Sequence, residues 1–284
     1  LYADYPFAKG CPTLEPVWNS GFDPQIVDWF FRVYTESPGL LNLSYLQAGQ
    51  ENSFGWNEIA KGWPMQCVKI AALRDAGRIA VETMGETARR FKSDHPANCP
   101  QTQVALEDWN DGRRKSIWYN SRFYRANLIC EDGRLFFRDI HKMTDDFEEP
   151  FLKRKCAGWQ ALYFTPPVID QWLFRGGNAS GVMSISGKHD TLSVTTEGDS
   201  TLVVTSRCGG KKWVSLRFEE GKLVVRGGTL SAEYEEGFLR DIRVLERAVE
   251  YSFSGCRYQV PISGSLCRTS NGFSGGGNEI VLDM

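Results

Sequence analysis

The chain has 284 residues, which is enough for one or two domains with a sizeable hydrophobic core. Its 33 basic and 35 acidic residues give a formal net charge of -2, so no basic excess is available for general binding to nucleic acid or to an anionic membrane surface. No run approaches the roughly 18 apolar residues that span a bilayer, and the sequence therefore predicts neither a nucleic-acid partner nor a membrane span.

Residues 1–100 have the pattern of alternating helices and strands. Asp23-Pro24 is typical of a helix start, since an acidic cap precedes a proline at the first helical position. Residues 40–46 and 79–84 read as strands, and Asn57 opens a further helix between them. This order favours a parallel α/β sheet or barrel, although two strands are too few to complete one. We therefore expect further strands from a segment preceding Leu1.

The period changes after a predicted linker over residues 101–111. Residues 112–284 hold most of the glycines, and their apolar residues alternate with polar ones along short segments. These predicted strands recur about every ten residues, as in an antiparallel β-sandwich. Hairpin turns are predicted at 131–133 and 219–221, and a flexible turn at 275–277. Predicted strands in this half include residues 135–140, 182–185, 191–194, 201–205, 213–218, 222–225 and 279–282.

The eight cysteines have no CxxC spacing, which argues against the usual structural zinc site. Cys67 and Cys130 lie in apolar runs and are predicted to be buried, while a Cys256–Cys267 disulfide is left open. His95 and His189 are predicted on the surface. Because the three histidines form no HxH or HExxH pattern, no metal site made wholly by this chain is expected.

The first candidate site follows the two predicted strands of the α/β region. Glu51 and Asn52, followed by Trp56, offer an acid, an amide and a stacking ring that suit sugar hydroxyls. Glu82 would supply the second carboxyl group of a general acid and base pair, or Glu86 in its place. The alternative interpretation is that Glu51 caps the next helix and Glu82 is a solvated strand end.

The second candidate site lies in the β region. In an extended strand Asp139 and His141 share one face, as do Trp118 and Arg122 on a neighbouring strand. Together with Arg138 these side chains would form a polar site with an aromatic wall, in which Asp139 orients His141. The alternative is a structural ion pair between Asp139 and Arg122 or Arg138. There is no GxSxG, no GxxxxGK[ST] and no GxGxxG after a strand, so serine-hydrolase and nucleotide sites are not predicted.

Residues 75–88, DAGRIAVETMGETA, resemble the last strand–helix unit of polysaccharide-deacetylase-like barrels. That superfamily includes glycoside hydrolases of families 38 and 57, in which a barrel precedes a large β supersandwich, the same order of elements as here. The resemblance implies the C-terminal part of a (β/α) barrel followed by a β-sandwich. It also implies that a divalent metal would be held by a segment preceding Leu1, and it transfers no catalytic residue to this chain.

These observations predict a carbohydrate-active protein, part of a glycoside hydrolase in which Glu51, Glu82, Asp139 and His141 supply the chemistry. Asn52, Trp56, Trp118, Arg122 and Arg138 would bind the sugar. The alternative is a non-catalytic carbohydrate-binding or structural β module. Carbohydrate is the expected partner, with an N-terminal segment of the same protein, and a secreted or periplasmic location is favoured.

Overall fold

The computed structural model describes residues 23–47, 55–109, 113–148, 152–153, 155, 165–171, 181–210, 212–253 and 255–284. The helices are α1 (Pro24–Thr35), α2 (Trp56–Ile59), α3 (Gly62–Asp75), α4 (Met84–Asp94) and α5 (Glu236–Leu239). The strands are β1 (Gln101–Ala105), β2 (Lys115–Asn120), β3 (Tyr124–Glu131), β4 (Arg134–Lys142), β5 (Pro167–Asp170), β6 (Gly181–Ile185), β7 (His189–Glu197), β8 (Thr201–Cys208), β9 (Lys212–Glu219), β10 (Lys222–Arg226), β11 (Leu230–Tyr234), β12 (Ile242–Val244), β13 (Ala248–Phe253), β14 (Cys256–Thr269) and β15 (Gly272–Asp283).

Helix α1 begins where the sequence predicts it. The Asp23 carboxylate accepts a hydrogen bond from the Gln25 backbone N–H at 2.9 Å, and the proline of the pair opens the helix. Its apolar face packs against Leu73 of α3 and Ala105 of β1 in a small separate core. This packing joins the helical segment to the first edge of the sheet.

The two strands predicted in the α/β region are absent from the described residues. Residues 40–47 and 79–83 run without strand pairing. The first is broken by left-handed backbone at Gly39 (φ 75°) and Asn42 (φ 52°), and the Asn42 carboxamide donates to the carbonyls of Pro100 and Asp199 at 2.6 and 2.7 Å. These contacts hold the first segment as a loop. The described residues of this region therefore contain neither of the strands on which the (β/α) barrel prediction depends.

The prediction of a mainly antiparallel β region is confirmed. Each strand predicted after residue 112 is present, and the 131–133 turn joins β3 to β4 with Asp132 and Gly133 both at positive φ, as a type I′ turn requires. The linker prediction is wrong in part, because residues 101–105 form β1. The predicted turn at 275–277 is also wrong, since these residues lie within β15, where Gly275 pairs with β14 and β11 and Gly276 pairs with β14.

The strands pair in the order β1-β2-β3-β4-β6-β11-β15-β10-β9-β8-β7, with β5 on β4 and β12, β13 and β14 following from β15. The sheet curls on itself, because strands from its two ends share one core. Phe218 of β9 packs against Tyr119 of β2 and Phe137 of β4, with ring centroids 5.6 and 6.2 Å apart. The Tyr119 hydroxyl donates to the Ser200 carbonyl at 2.7 Å and ties the two ends together.

A β-bulge in the β3–β4 ladder sets which side chains leave this core. Asn127 pairs with Asp139, but the next residue of β3 pairs with Phe137, so Arg138 is the extra residue. The bulge reverses the alternation of β4: Phe137 and Ile140 face the core, and Asp139 and His141 therefore face outward. The prediction that these two side chains share a face is confirmed.

Candidate functional site

A groove of about 270 Å³ lies between α1, α3 and α4 and two loops. Residues 43–47 and 79–82 run along it, so parts of the two predicted strands line one cleft, although as loops. The groove is lined by Phe31, Tyr34, Thr35, Leu43, Ser44, Tyr45, Leu46, Gln47, Ile70, Ile79, Ala80, Val81, Glu82, Met84, Thr87 and Arg90. It combines two tyrosines with an acidic and a basic side chain.

Glu82 is held at the groove by the first turns of α4. Its carboxylate accepts hydrogen bonds from Thr87 Oγ1 at 2.7 Å and from Arg90, whose Nε lies 3.0 Å from Oε1. The Thr87 and Arg90 hydrogen bonds lower the pKa of Glu82 below its ordinary value. Glu82 is therefore ionised at neutral pH, which suits an acceptor or a base and not a proton donor.

None of the other predicted members of this site is found in the described wall of the groove. Glu51 and Asn52 lie outside the described residues, so their distance from Glu82 is not part of the structure. Trp56 lies in α2 with 63% of its surface exposed, and it is not among the described residues that line the groove. Glu86 belongs to the capping box of α4: it bonds back to Thr83, whose hydroxyl accepts from the Glu86 N–H.

A buried polar cluster lies on the outer face of β4. Asp139 and His141, predicted as catalytic, meet Asp170 of β5, and all three are at most 4% exposed. His141 Nε2 lies 3.1 Å from Asp170 Oδ2 and 3.9 Å from Asp139 Oδ1. Its Nδ1 lies 2.6 Å from Thr165 Oγ1 and 3.0 Å from the Thr165 carbonyl oxygen. The cluster is therefore a connected network with little access to solvent.

The arginine that pairs with Asp139 is Arg125 of β3, not Arg122 or Arg138. Arg125 donates from Nε and Nη2 to the two carboxylate oxygens at 3.1 and 3.0 Å, a bidentate pair. Arg122 follows the end of β2, is exposed and lies over the Phe123 ring at 5.6 Å. The prediction that Arg122 continues the face of Trp118 is wrong, because β2 ends at Asn120 and the chain bends before Arg122.

Arg138 and Trp118 do come together, as the sequence predicted. The Arg138 guanidinium carbon lies 5.1 Å from the centre of the Trp118 ring, within the range of a cation–π contact. Trp118, Asn127, Asp139 and Asp170 are successive register partners across β2, β3, β4 and β5. One polar row therefore crosses four strands on the outer face of the sheet.

Sequence reasoning gave Arg125, Asp170 and Thr165 no role in the site. The alternation of Arg125 with Asn127 along one strand would have placed both on one face. Asp170 is the last residue of the mostly apolar run 167–170, and the alternation of side chains along a strand would have placed it on the outer face. The pairing of β5 with β4 joins residues 29 positions apart in the chain, and no local pattern indicates it.

The remaining histidine and cysteine predictions have mixed outcomes. His189 is buried, with Nδ1 2.9 Å from Ser206 Oγ, so its surface prediction is wrong. Cys130 is buried as predicted, but Cys67 is exposed. Cys256 and Cys267 are free thiols, which settles the open disulfide against a bond.

Comparison with known proteins adds one weak likeness. No family model and no curated protein matches the chain. A solved structure described as YidC from Thermotoga maritima is 10% identical with a TM-score of 0.35, and the match covers 64% of this chain. The chain spans about half of that structure, 49% of its length. A likeness at this level assigns neither a fold family nor a function.

Among the described residues, no helix is long and apolar enough to cross a bilayer.

Proposed function

We propose that this chain is a carbohydrate-active protein that binds a saccharide in the groove between α1, α3 and α4. The observation that carries the proposal is the composition of the groove wall: Tyr34 and Tyr45 lie beside the Glu82–Arg90 ion pair. Tyr45 keeps 41% of its surface exposed and is open to a ligand. The resemblance of residues 75–88 to polysaccharide-deacetylase-like barrels points to the same substrate class, and this stretch includes Glu82 and Met84 of the groove wall.

The chemistry of a sugar explains why this combination suits it. A pyranose ring has an apolar face that packs on an aromatic side chain, and hydroxyl groups at its edge that both donate and accept hydrogen bonds. The ionised Glu82 accepts from hydroxyl groups, and Arg90 donates to them. A volume of about 270 Å³ limits the occupant to a short segment, such as one sugar unit of a longer chain.

Hydrolysis in this groove would assign the two carboxyl groups unequal roles. Because the pKa of Glu82 is lowered, Glu82 would be the nucleophile or base of a glycosidase pair. The acid would then be Glu51, which the sequence places four residues beyond the groove residue Gln47. Asp139 and His141 are buried at the sheet face, away from solvent, and we assign them no part in this chemistry. A non-catalytic binding module, the alternative, would bind the sugar in the same groove without protonating a leaving group.

The test is a binding and turnover screen of the full chain against defined oligosaccharides. We expect Tyr45→Ala and Glu82→Gln to weaken binding at least tenfold, as measured by calorimetry. Trp213→Ala is the matched control, since Trp213 is an exposed aromatic on β9, 55% exposed, stacked on Arg207. Binding by no oligosaccharide, or equal loss in Trp213→Ala, would contradict the proposal.

Glu51→Gln separates the two versions of the proposal. A hydrolase loses turnover in this variant and keeps its affinity for the oligosaccharide, because only the proton donor is removed. A binding module shows no turnover in either form and unchanged affinity.

A further inference from the structure

Three potential metal ligands converge at the buried cluster on β4 and β5. One oxygen of Asp139, one oxygen of Asp170 and a ring nitrogen of His141 all lie within 4.8 Å of one another, and all three residues are buried. Oxygen and imidazole donors in such a set bind divalent ions when nothing else fills the space between them. Three such donors at this spacing are the arrangement that a cation site requires.

The environment of the His141 ring indicates what faces this space. Its Nδ1 lies 2.6 Å from Thr165 Oγ1 and 3.0 Å from the Thr165 carbonyl oxygen. With the ring proton on Nδ1 and donated to that carbonyl, Nε2 holds its lone pair toward Asp170 Oδ2 at 3.1 Å and Asp139 Oδ1 at 3.9 Å. In this tautomer the lone pair and the two carboxylates form the donor set of a cation.

We propose that Asp139, His141 and Asp170 bind a divalent transition-metal ion, for which Zn²⁺ is the probe of choice. Donor atoms that surround a tetrahedral zinc at 2.0–2.1 Å are about 3.3 Å apart. The observed Nε2 separations of 3.1 and 3.9 Å bracket that spacing. Three protein ligands leave a fourth position for a water or another donor.

The surrounding residues match the usual support of a metal site. Histidine ligands commonly donate their second ring N–H to a carbonyl or carboxylate, which is the role of the Thr165 carbonyl, and ligand carboxylates are held by further hydrogen bonds, as Arg125 holds Asp139. Beside them Asn127 is fully buried, and its Oδ1 has no hydrogen-bond partner among the described residues, which adds negative potential.

The test measures metal content and affinity in the full chain. Free cysteines, including the exposed Cys67 and Cys267, also bind zinc, so the thiols are first blocked with N-ethylmaleimide. The protein is stripped with a chelator and titrated with Zn²⁺ and, for its visible spectrum, with Co²⁺. We expect one ion per chain, a Co²⁺ spectrum of oxygen and nitrogen ligands, and a rise in Tm on adding Zn²⁺.

Asp170→Asn and His141→Gln should each weaken Zn²⁺ binding at least tenfold and abolish the rise in Tm. Asp145→Asn and His95→Gln are matched controls on residues outside the cluster, and they should bind as the parent does. If the first two variants do not fold, the parent chain alone decides the matter through its ion stoichiometry and its chelator-dependent Tm. Absence of a bound ion after thiol blocking would overturn the proposal. Equal binding by Asp170→Asn would overturn it too.

Discussion

Asp139 and Glu82 present the same chemical group in two environments. Each carboxylate is held by one arginine at hydrogen-bond distance, Arg125 in the sheet and Arg90 in helix α4. The side chains of Arg125 and Asp139 are 25% and 5% exposed, whereas those of Arg90 and Glu82 are 47% and 22% exposed. Asp139 is surrounded by a second carboxylate and a histidine, and Glu82 faces the open groove.

Burial, more than the ion pair itself, decides what such a carboxylate does. In the sheet the surrounding strands exclude water, so every buried charge there needs a counter-charge inside the protein. In the groove, water screens the pair, and the carboxylate stays available to a ligand. In our two proposals the same residue types therefore serve a bound cation in one place and a sugar in the other.

Removing each arginine is the most direct way to break this comparison. Arg125→Ala should lower the free energy of unfolding by about 3 kcal/mol, the low end of the range for breaking a buried pair, because part of the guanidinium is exposed. Arg90→Ala should leave it unchanged within error. Urea unfolding of both variants, with chelator present to exclude metal effects, gives the numbers. Similar losses in the two variants would show that exposure is not the deciding factor.

Two glycines extend the comparison from charges to packing. Gly39 and Gly77 have nearly the same left-handed backbone, with φ of 75° and 67°. A Cβ at Gly39 would lie 2.6 Å from Val194 Cγ1 and 2.8 Å from Leu202 Cδ1, whereas a Cβ at Gly77 would meet nothing within 4 Å. The backbone cost is thus shared, and only the steric cost differs.

Gly77→Ala should therefore destabilise the protein by about 1 kcal/mol through backbone strain alone. Gly39→Ala should cost about 2 kcal/mol, since overpacking against β7 and β8 is added and the Leu202 side chain relieves part of it. Thermal and urea unfolding of the pair check the difference. A cost at Gly77 equal to that at Gly39 would mean that the loop shifts to make room.

Local chemistry was readable from the sequence where a short pattern determines it. The Asp23-Pro24 start of α1, the Asp132-Gly133 turn and the outward pair Asp139 and His141 all depend on neighbouring residues. The strand predictions for residues 40–46 and 79–84 were wrong, because a strand needs a partner strand and apolar alternation alone does not supply one. At the first of them, the distant contacts of Asn42 with Pro100 and Asp199 hold a loop instead.

Several residues of each candidate site come together only because strands or loops that are distant in sequence pack side by side. Arg125 and Asp170 reach Asp139 and His141 only through the β3–β4 and β4–β5 ladders, whose bulges shift the register. A sequence pattern gives the face of a residue but not which strand lies beside it. The sequence placed Glu51 and Glu82 after two predicted strands, and it gave no indication of a groove between three helices.

His189 offers the finest test of how burial acts on one titratable group. Burial lowers the pKa of His189 below its ordinary value of 6.5, because the charged ring loses its water. As the pH falls, the unfolded chain takes up its proton before the folded chain does. The stability that depends on a neutral His189 is therefore complete above pH 6.5 and is lost as the pH falls through the lowered folded pKa.

His189→Asn keeps a polar partner for Ser206 and removes the titrating group. We expect the variant to lose less unfolding free energy than the parent between about pH 7.5 and about pH 5.5, as measured by urea unfolding. An unchanged slope in His189→Asn would assign the pH dependence to other groups.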